Sequence, residues 1–205
     1  MSSVVALDRL LDARRVWRGQ VVSAPSPSNP STGHAVLDAA LPGGGWPAAA
    51  LSEVLTAATG IGELRLLWPT LARLTQANER VVLVAPPHLP YPQAWQDAGI
   101  DLRHLSIVRA QARDALWAAE QCLRSGSCGA VLCWLHQADD RALRRLQVAA
   151  ATGQTLAFAY RPLEEAANPS PAALRLAVES QPARIRVLKC RGGLAPARPI
   201  AAPWH

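Results

Sequence analysis

Between residues 51 and 160 the chain alternates apolar runs of strand length with stretches of helical periodicity, and this alternation limits its fold more than any other feature. The runs are "LSEVLT" (51–56), "RVVLVAP" (80–86), "LSIVRA" (105–110), "AVLCWL" (130–135) and "TLAFAY" (155–160). Helices are predicted between them over 62–77, 91–98, 111–125 and 139–151, and a short one in "HAVLDAAL" (34–41). Strands that are apolar on both sides must be covered on both faces. The expected fold class is therefore α/β, a mainly parallel sheet flanked by helices. "AALRLAV" (172–178) and "RIRVLKC" (184–190) instead alternate and are joined by "ESQPA". They are expected to form an antiparallel hairpin at one edge of the sheet.

Upstream, residues 1–18 read as an amphipathic helix. Val4, Leu7, Leu10, Leu11 and Trp17 recur at helical spacing over 3–18. Residues 19–30 are Pro- and Ser-rich and read as a linker. A helix on such a tether cannot bury its stripe alone, so it packs on its own core or on another chain; the sequence leaves both open. Residues 31–191 form the expected core domain, and the Gly- and Pro-rich residues 192–205 an irregular tail.

Half of the 205 residues are apolar, enough for one sizeable core. The net charge of +6 is compatible with nucleic acid or an acidic protein partner and selects neither. Cys122, Cys128, Cys133 and Cys190 match no zinc spacing and read as reduced thiols of a cytoplasmic protein. No window approaches 18 uninterrupted apolar residues, so no membrane span is expected.

The turn after the first strand, "TAATGIGE" (56–63), stands where α/β proteins cradle phosphates. A working phosphate loop reads GxxxxGK[ST], its lysine neutralising the terminal phosphates. Here Thr56 or Ala57 occupies the first glycine position and Ile61 or Gly62 the second. Gly62 or Glu63 replaces the lysine. The only lysine of the chain is Lys189. The stretch is either a generic turn with Gly60 and Gly62 at the helix start, or a phosphate loop without its chemistry.

The neighbourhood "STGHAVLDAALPGGGWP…LSEVLTAATGIGELRLL" resembles the start of the RecA core, with Ser31, Thr32, Gly33, Leu37, Asp38, Ala40, Leu41, Pro47 and Glu53 in matching order. "RIRVLKCR" is similar to the basic closing strand of RecA. The resemblance brackets residues 31–191 and implies a RecA-like core with a degenerate phosphate loop. Against that pattern the acidic end of the metal-binding strand is missing, since "AVLCWL" leads to Trp134, Leu135 and His136. The catalytic acid is missing too, where Pro86, Pro87 and His88 stand. No ATP hydrolysis and no cofactor are expected.

"GIGELRLLWP", "VVLVAPPHLPYPQAW", "DALWAAEQCLRSG" and "ADDRALRRLQ" resemble the ImuA family of damage-induced mutagenesis operons. That resemblance implies a non-catalytic adaptor in error-prone translesion DNA synthesis under the SOS response. The implied partners are an ImuB-like inactive Y-family polymerase homologue, an error-prone C-family DNA polymerase complex and a RecA filament, with DNA approached directly or through partners. Two alternatives stand beside it. One is a SulA-like division inhibitor binding the tubulin-like division protein, the other a RecA-type ATPase with residual nucleotide or DNA binding.

Candidate interface residues are Leu7, Leu10, Leu11 and Trp17 on the first helix, and Arg141, Arg144 and Arg145 as a ridge on helix 139–151. Lys189 and Arg191 complete the set, expected on one face of their strand with Arg184 and Arg186 on the other. The same residues also suit a solvated helix face and a charge-protected strand edge. His88, Tyr91 and Trp95 could stack on a ligand, or Trp95 could pack its helix on the sheet.

Overall fold

Every position of β1 (Leu51–Thr56) is buried, which fits a strand covered on both faces in the middle of a sheet. The computed structural model describes residues 29–135, 138–202 and 204. The helix expected over 1–18, with Leu7, Leu10, Leu11 and Trp17, and most of the expected 19–30 linker lie outside the described residues.

Chain order after β1 runs through α2 (Trp68–Gln76), β2 (Arg80–Val84), α3 (Pro92–Asp97), β3 (Leu105–Val108) and α4 (Ala112–Arg124). It continues through β4 (Cys128–Trp134), α5 (Asp140–Gly153), β5 (Leu156–Pro162), β6 (Leu174–Ser180), β7 (Ala183–Cys190) and β8 (Ile200–Ala201). A short helix α1 (Ala35–Ala40) precedes β1. The sheet order is β3-β2-β4-β5-β1-β6-β7-β8. From β3 to β6 all neighbours are parallel. β6–β7 and β7–β8 are antiparallel. This is the expected mixed α/β sheet with its closing hairpin.

Two apolar layers sandwich the sheet. On one face Leu37, Trp46, Leu71, Leu74 and Trp95 meet Leu83, Leu132, Phe158, Leu176 and Val187. On the other, Ala115, Ala119 and Leu123 of α4 and Leu143, Leu146 and Ala149 of α5 cover Val82, Val131, Cys133 and Ala157. Small residues on the helices let α4 and α5 sit close, and an alanine Cβ at Gly153 would lie 1.8 Å from the Leu123 carbonyl oxygen. Burial pushes the Cys133 thiol up to about 12.

Local chemistry sets the element ends. α5 starts where the Asp139 carboxylate accepts the Ala142 N–H at 2.7 Å. The helix expected from residue 62 begins later. Glu63–Leu66 form a 3-10 turn, and Pro69 sits in the first turn of α2, where a missing N–H is harmless. The segment before α1 is tied by Asp38, which accepts from Thr32 N–H at 2.8 Å and Ser31 Oγ at 2.5 Å. Partial burial acts to raise the Asp38 pKa, but these hydrogen bonds outweigh it and hold it below the usual value. A relay continues inward, with Trp46 Nε1 donating to Thr70 Oγ1 at 2.8 Å and Thr70 Oγ1 to the Thr32 carbonyl at 3.2 Å.

The tail departs from the irregular segment expected. Ile200 and Ala201 pair with Ile185 and Arg184, because Ile200 gains burial against the hairpin's apolar face.

Candidate functional site

Because β1 to β6 are parallel, the turns that leave β1, β2, β3, β4 and β5 collect at one edge of the sheet, where α/β proteins place ligands and partners. Beneath that edge lies a buried charge network. Glu53 Oε1 accepts from Arg161 Nη1 at 2.8 Å and Glu53 Oε2 from Arg175 Nε at 2.6 Å, joining β1, β5 and β6. Arg161 also reaches the Ala138 carbonyl at 2.5 Å and Glu165 Oε2 at 2.9 Å. Arg175 donates to the carbonyls of Glu165, Ala166 and Asn168. The two guanidiniums thus fasten the turn that follows β5 to the sheet. None of these three residues entered the sequence-level interface set. A charged residue inside an apolar run, as in "LSEVLT" and "LRLAV", was the available signal.

The turn after β1 is held from inside by its own carboxylate. Glu63 is 4% exposed, and its Oε1 accepts the Gly60 N–H at 3.0 Å. Gly62 has φ 96°, and a Cβ there would stand 2.9 Å from Trp204 Nε1, so only glycine fits against the tail. Thr56, Thr59, Glu63, Trp134, Tyr160 and Arg161 line a cavity of about 170 Å³ beside the turn. The Trp134 and Tyr160 rings stack at 4.9 Å and 9°. Burial pushes the Tyr160 hydroxyl well above its ordinary pKa, and the neighbouring Glu63 charge adds to the shift. Among the described residues no cluster of three or more His, Cys, Asp or Glu could hold a metal ion.

The sequence-predicted cations do not act as one patch. Arg145 is committed to Glu120 of α4, and Arg144 pairs with Asp140 at 2.6 Å. Arg141 is exposed and makes no ion pair among the described residues. Lys189 Nζ donates to the Ser170 carbonyl at 2.7 Å, and Arg191 is exposed.

The expected opposition of Lys189 to Arg184 and Arg186 is corrected by a β-bulge. Arg175 pairs with Lys189 but the next residue, Leu176, pairs with Val187, so Leu188 is the extra residue. Lys189 therefore shares a face with Arg186, opposite Ala177, and with Arg184, opposite Glu179. Glu179 binds both arginines, Arg186 at 2.5 Å and Arg184 at 3.4 Å. The hairpin's second strand is also not the outermost one, since β8 pairs beyond it. His88, Tyr91 and Trp95 separate as well: Trp95 is 3% exposed in the core and Tyr91 is 72% exposed. Among the described residues no helix is long and apolar enough to cross a membrane.

A family model described as "Cell division inhibitor SulA" matches residues 50–157, the span from β1 into β5. A curated relative, "Cell division inhibitor SulA" of Edwardsiella piscicida, is 30% identical over 100 residues, which cover 48% of this chain and 60% of the relative. A solved structure, "Crystal structure of SulA from Pseudomonas aeruginosa", is 30% identical with a TM-score of 0.47, over 57% of this chain and 99% of that one. The family model and the curated relative overturn the kinship with ImuA suggested by the wording of the helices and turns. The translesion role falls with it, as do the ImuB-like, C-family polymerase and RecA-filament partners.

Proposed function

Since the chain belongs to the cell division inhibitor SulA family, we propose that it is a non-catalytic inhibitor of cell division. In this reading it binds the tubulin-like division protein FtsZ and keeps it from assembling. The damage-induced setting expected from the sequence stays with it. The family match over residues 50–157 carries the proposal.

The turn after β1 supports a binding rather than a catalytic role. In this reading it is the phosphate loop of a RecA-like core that has lost its chemistry. Its Gly60 N–H is already taken by the Glu63 carboxylate, so an incoming phosphate meets a negative charge where it needs a cation. Contact with the division protein is assigned to exposed cations, Arg141 on α5 together with Lys189 and Arg191 at the end of the hairpin. Arg144 and Arg145 contribute less, because each already holds an internal carboxylate.

Sedimentation of purified division protein with GTP tests the proposal. Polymer mass should fall as this protein is added and reach a floor near equal concentrations. Polymer and GTPase activity that stay unchanged in an excess of folded protein would overturn it. Calorimetry with Mg-ATP should give no heat of binding.

A further inference from the structure

An unpartnered carboxylate in a protein interior is expensive, because the charge loses its hydration and gains nothing in exchange. Glu63 Oε2 is buried and has no hydrogen-bond partner, and the Tyr160 hydroxyl is in the same condition. Both residues line the cavity beside the turn after β1, together with the Trp134 ring.

The charges around the cavity do not balance. Glu53, Glu63 and Glu165 carry three negative charges, whereas Arg161 and Arg175 carry two positive ones. Both arginines are spent on Glu53, and Arg161 on Glu165 as well, which leaves Glu63 without an ion pair among the described residues. We infer that this cavity is a socket for an alkylammonium or alkylguanidinium group, seated on Glu63 and Tyr160 against the Trp134 ring.

The chemistry matches on each side. A cation supplies the donors that Glu63 Oε2 lacks, in a charge-assisted hydrogen bond stronger than a neutral one. The Tyr160 oxygen accepts a further donor, and an indole face attracts a cation. About 170 Å³ admits the end of a lysine or arginine side chain, or a small free amine, but no nucleotide. Arg161 Nε also lacks a partner. It would favour an anion instead, so the test includes one.

Methylguanidinium and inorganic phosphate are each titrated into the full chain, following the Trp134 indole N–H resonance, assigned through a Trp134→Phe variant. Glu63→Gln keeps the oxygen that accepts the Gly60 N–H and removes only the charge. The wild type should bind methylguanidinium saturably, and Glu63→Gln should bind at least about tenfold more weakly, with its other indole resonances unmoved. Absence of saturable binding, equal binding by Glu63→Gln, or preference for phosphate overturns the inference. The result does not depend on the division-inhibitor reading. Adding the division protein then separates the two sources of the cation. Competition with methylguanidinium marks a basic side chain of that partner, and independent binding marks a free small amine.

Discussion

Glu53 and Arg175 stand 122 residues apart in the chain, yet Glu53 Oε2 accepts from Arg175 Nε at 2.6 Å inside the sheet. With Arg161 on the other oxygen, the carboxylate bridges two guanidiniums that also hold four backbone carbonyls.

Removing Glu53 leaves Arg175 buried without a counter-charge and Arg161 with Glu165 alone. Glu53→Ala should destabilise the fold by roughly 3–5 kcal/mol, the usual effect of breaking a buried pair. Replacing all three residues with apolar ones should not restore stability, because the carbonyls of Ala138, Glu165, Ala166 and Asn168 would then lose their donors. Urea denaturation of both variants measures this. A triple variant as stable as wild type would show that the carbonyl contacts matter little.

The bulge at Leu188 makes a sharper prediction about register. Deleting Leu188 should leave Val187 opposite Leu176 and Lys189 opposite Arg175 in an uninterrupted ladder, so Lys189 keeps its face and the fold is retained. Leu188→Ala should shift the midpoint only slightly, by about 1 kcal/mol or less. A loss of several kcal/mol in the deletion variant, with Leu188→Ala near wild type, would mean that the bulge itself holds the strand.

A surface pair should report pH without governing stability. A side-chain hydrogen bond from Arg103 holds the Asp101 carboxyl down at about 2, against 3.8 unperturbed. A depressed carboxylate contributes above its unfolded value and loses that contribution as pH falls from near 4 through about 2. Carboxyl NMR should give that low midpoint, moving up in Arg103→Ala and in high salt, since the pair is open to solvent. A midpoint insensitive to both changes would contradict the assignment.

Thiol reactivity should divide the cysteines by depth. Cys128 and Cys133 are buried, and Cys133 Sγ donates to the Phe158 carbonyl at 3.5 Å, whereas Cys122 and Cys190 are partly exposed. An alkylating reagent followed by mass spectrometry should find Cys122 and Cys190 modified in the native protein. Cys128 and Cys133 should react only on unfolding, because thiolate formation at Cys133 is suppressed by burial. Equal rates at Cys133 and Cys122 would sink the prediction.

How far the sequence carried these conclusions differs by element. Runs such as "RVVLVAP" and "AVLCWL" are dictated by burial on both faces, so strands, helices and hairpin could be read directly. The Leu188 bulge could not, because an extra residue in "RIRVLKC" leaves the alternation looking intact while changing which side Lys189 takes. Glu53 fitted an ordinary motif position, and nothing local told that its partners lay on strands far along the chain. A turn at 56–63 follows from the end of the first apolar run, but the inward turn of Glu63 depends on Gly60 and Gly62 adopting left-handed backbone. The misassigned kinship has a physical source too. Turn and helix-start wording reflects the demands of an α/β scaffold, which unlike partners can share, whereas partner choice resides in exposed side chains.

The position of β1 bears on how the chain comes off the ribosome. Leu51 pairs with Ala157, and Ser52 pairs with both Phe158 and Leu174, so the central strand has no neighbour until more than a hundred further residues have been made. Its apolar surface waits through that interval, exposed to chaperones and proteases, and non-local closure of this kind makes folding slow. Synthesis time therefore limits how soon active protein can accumulate, in addition to any control over its transcription.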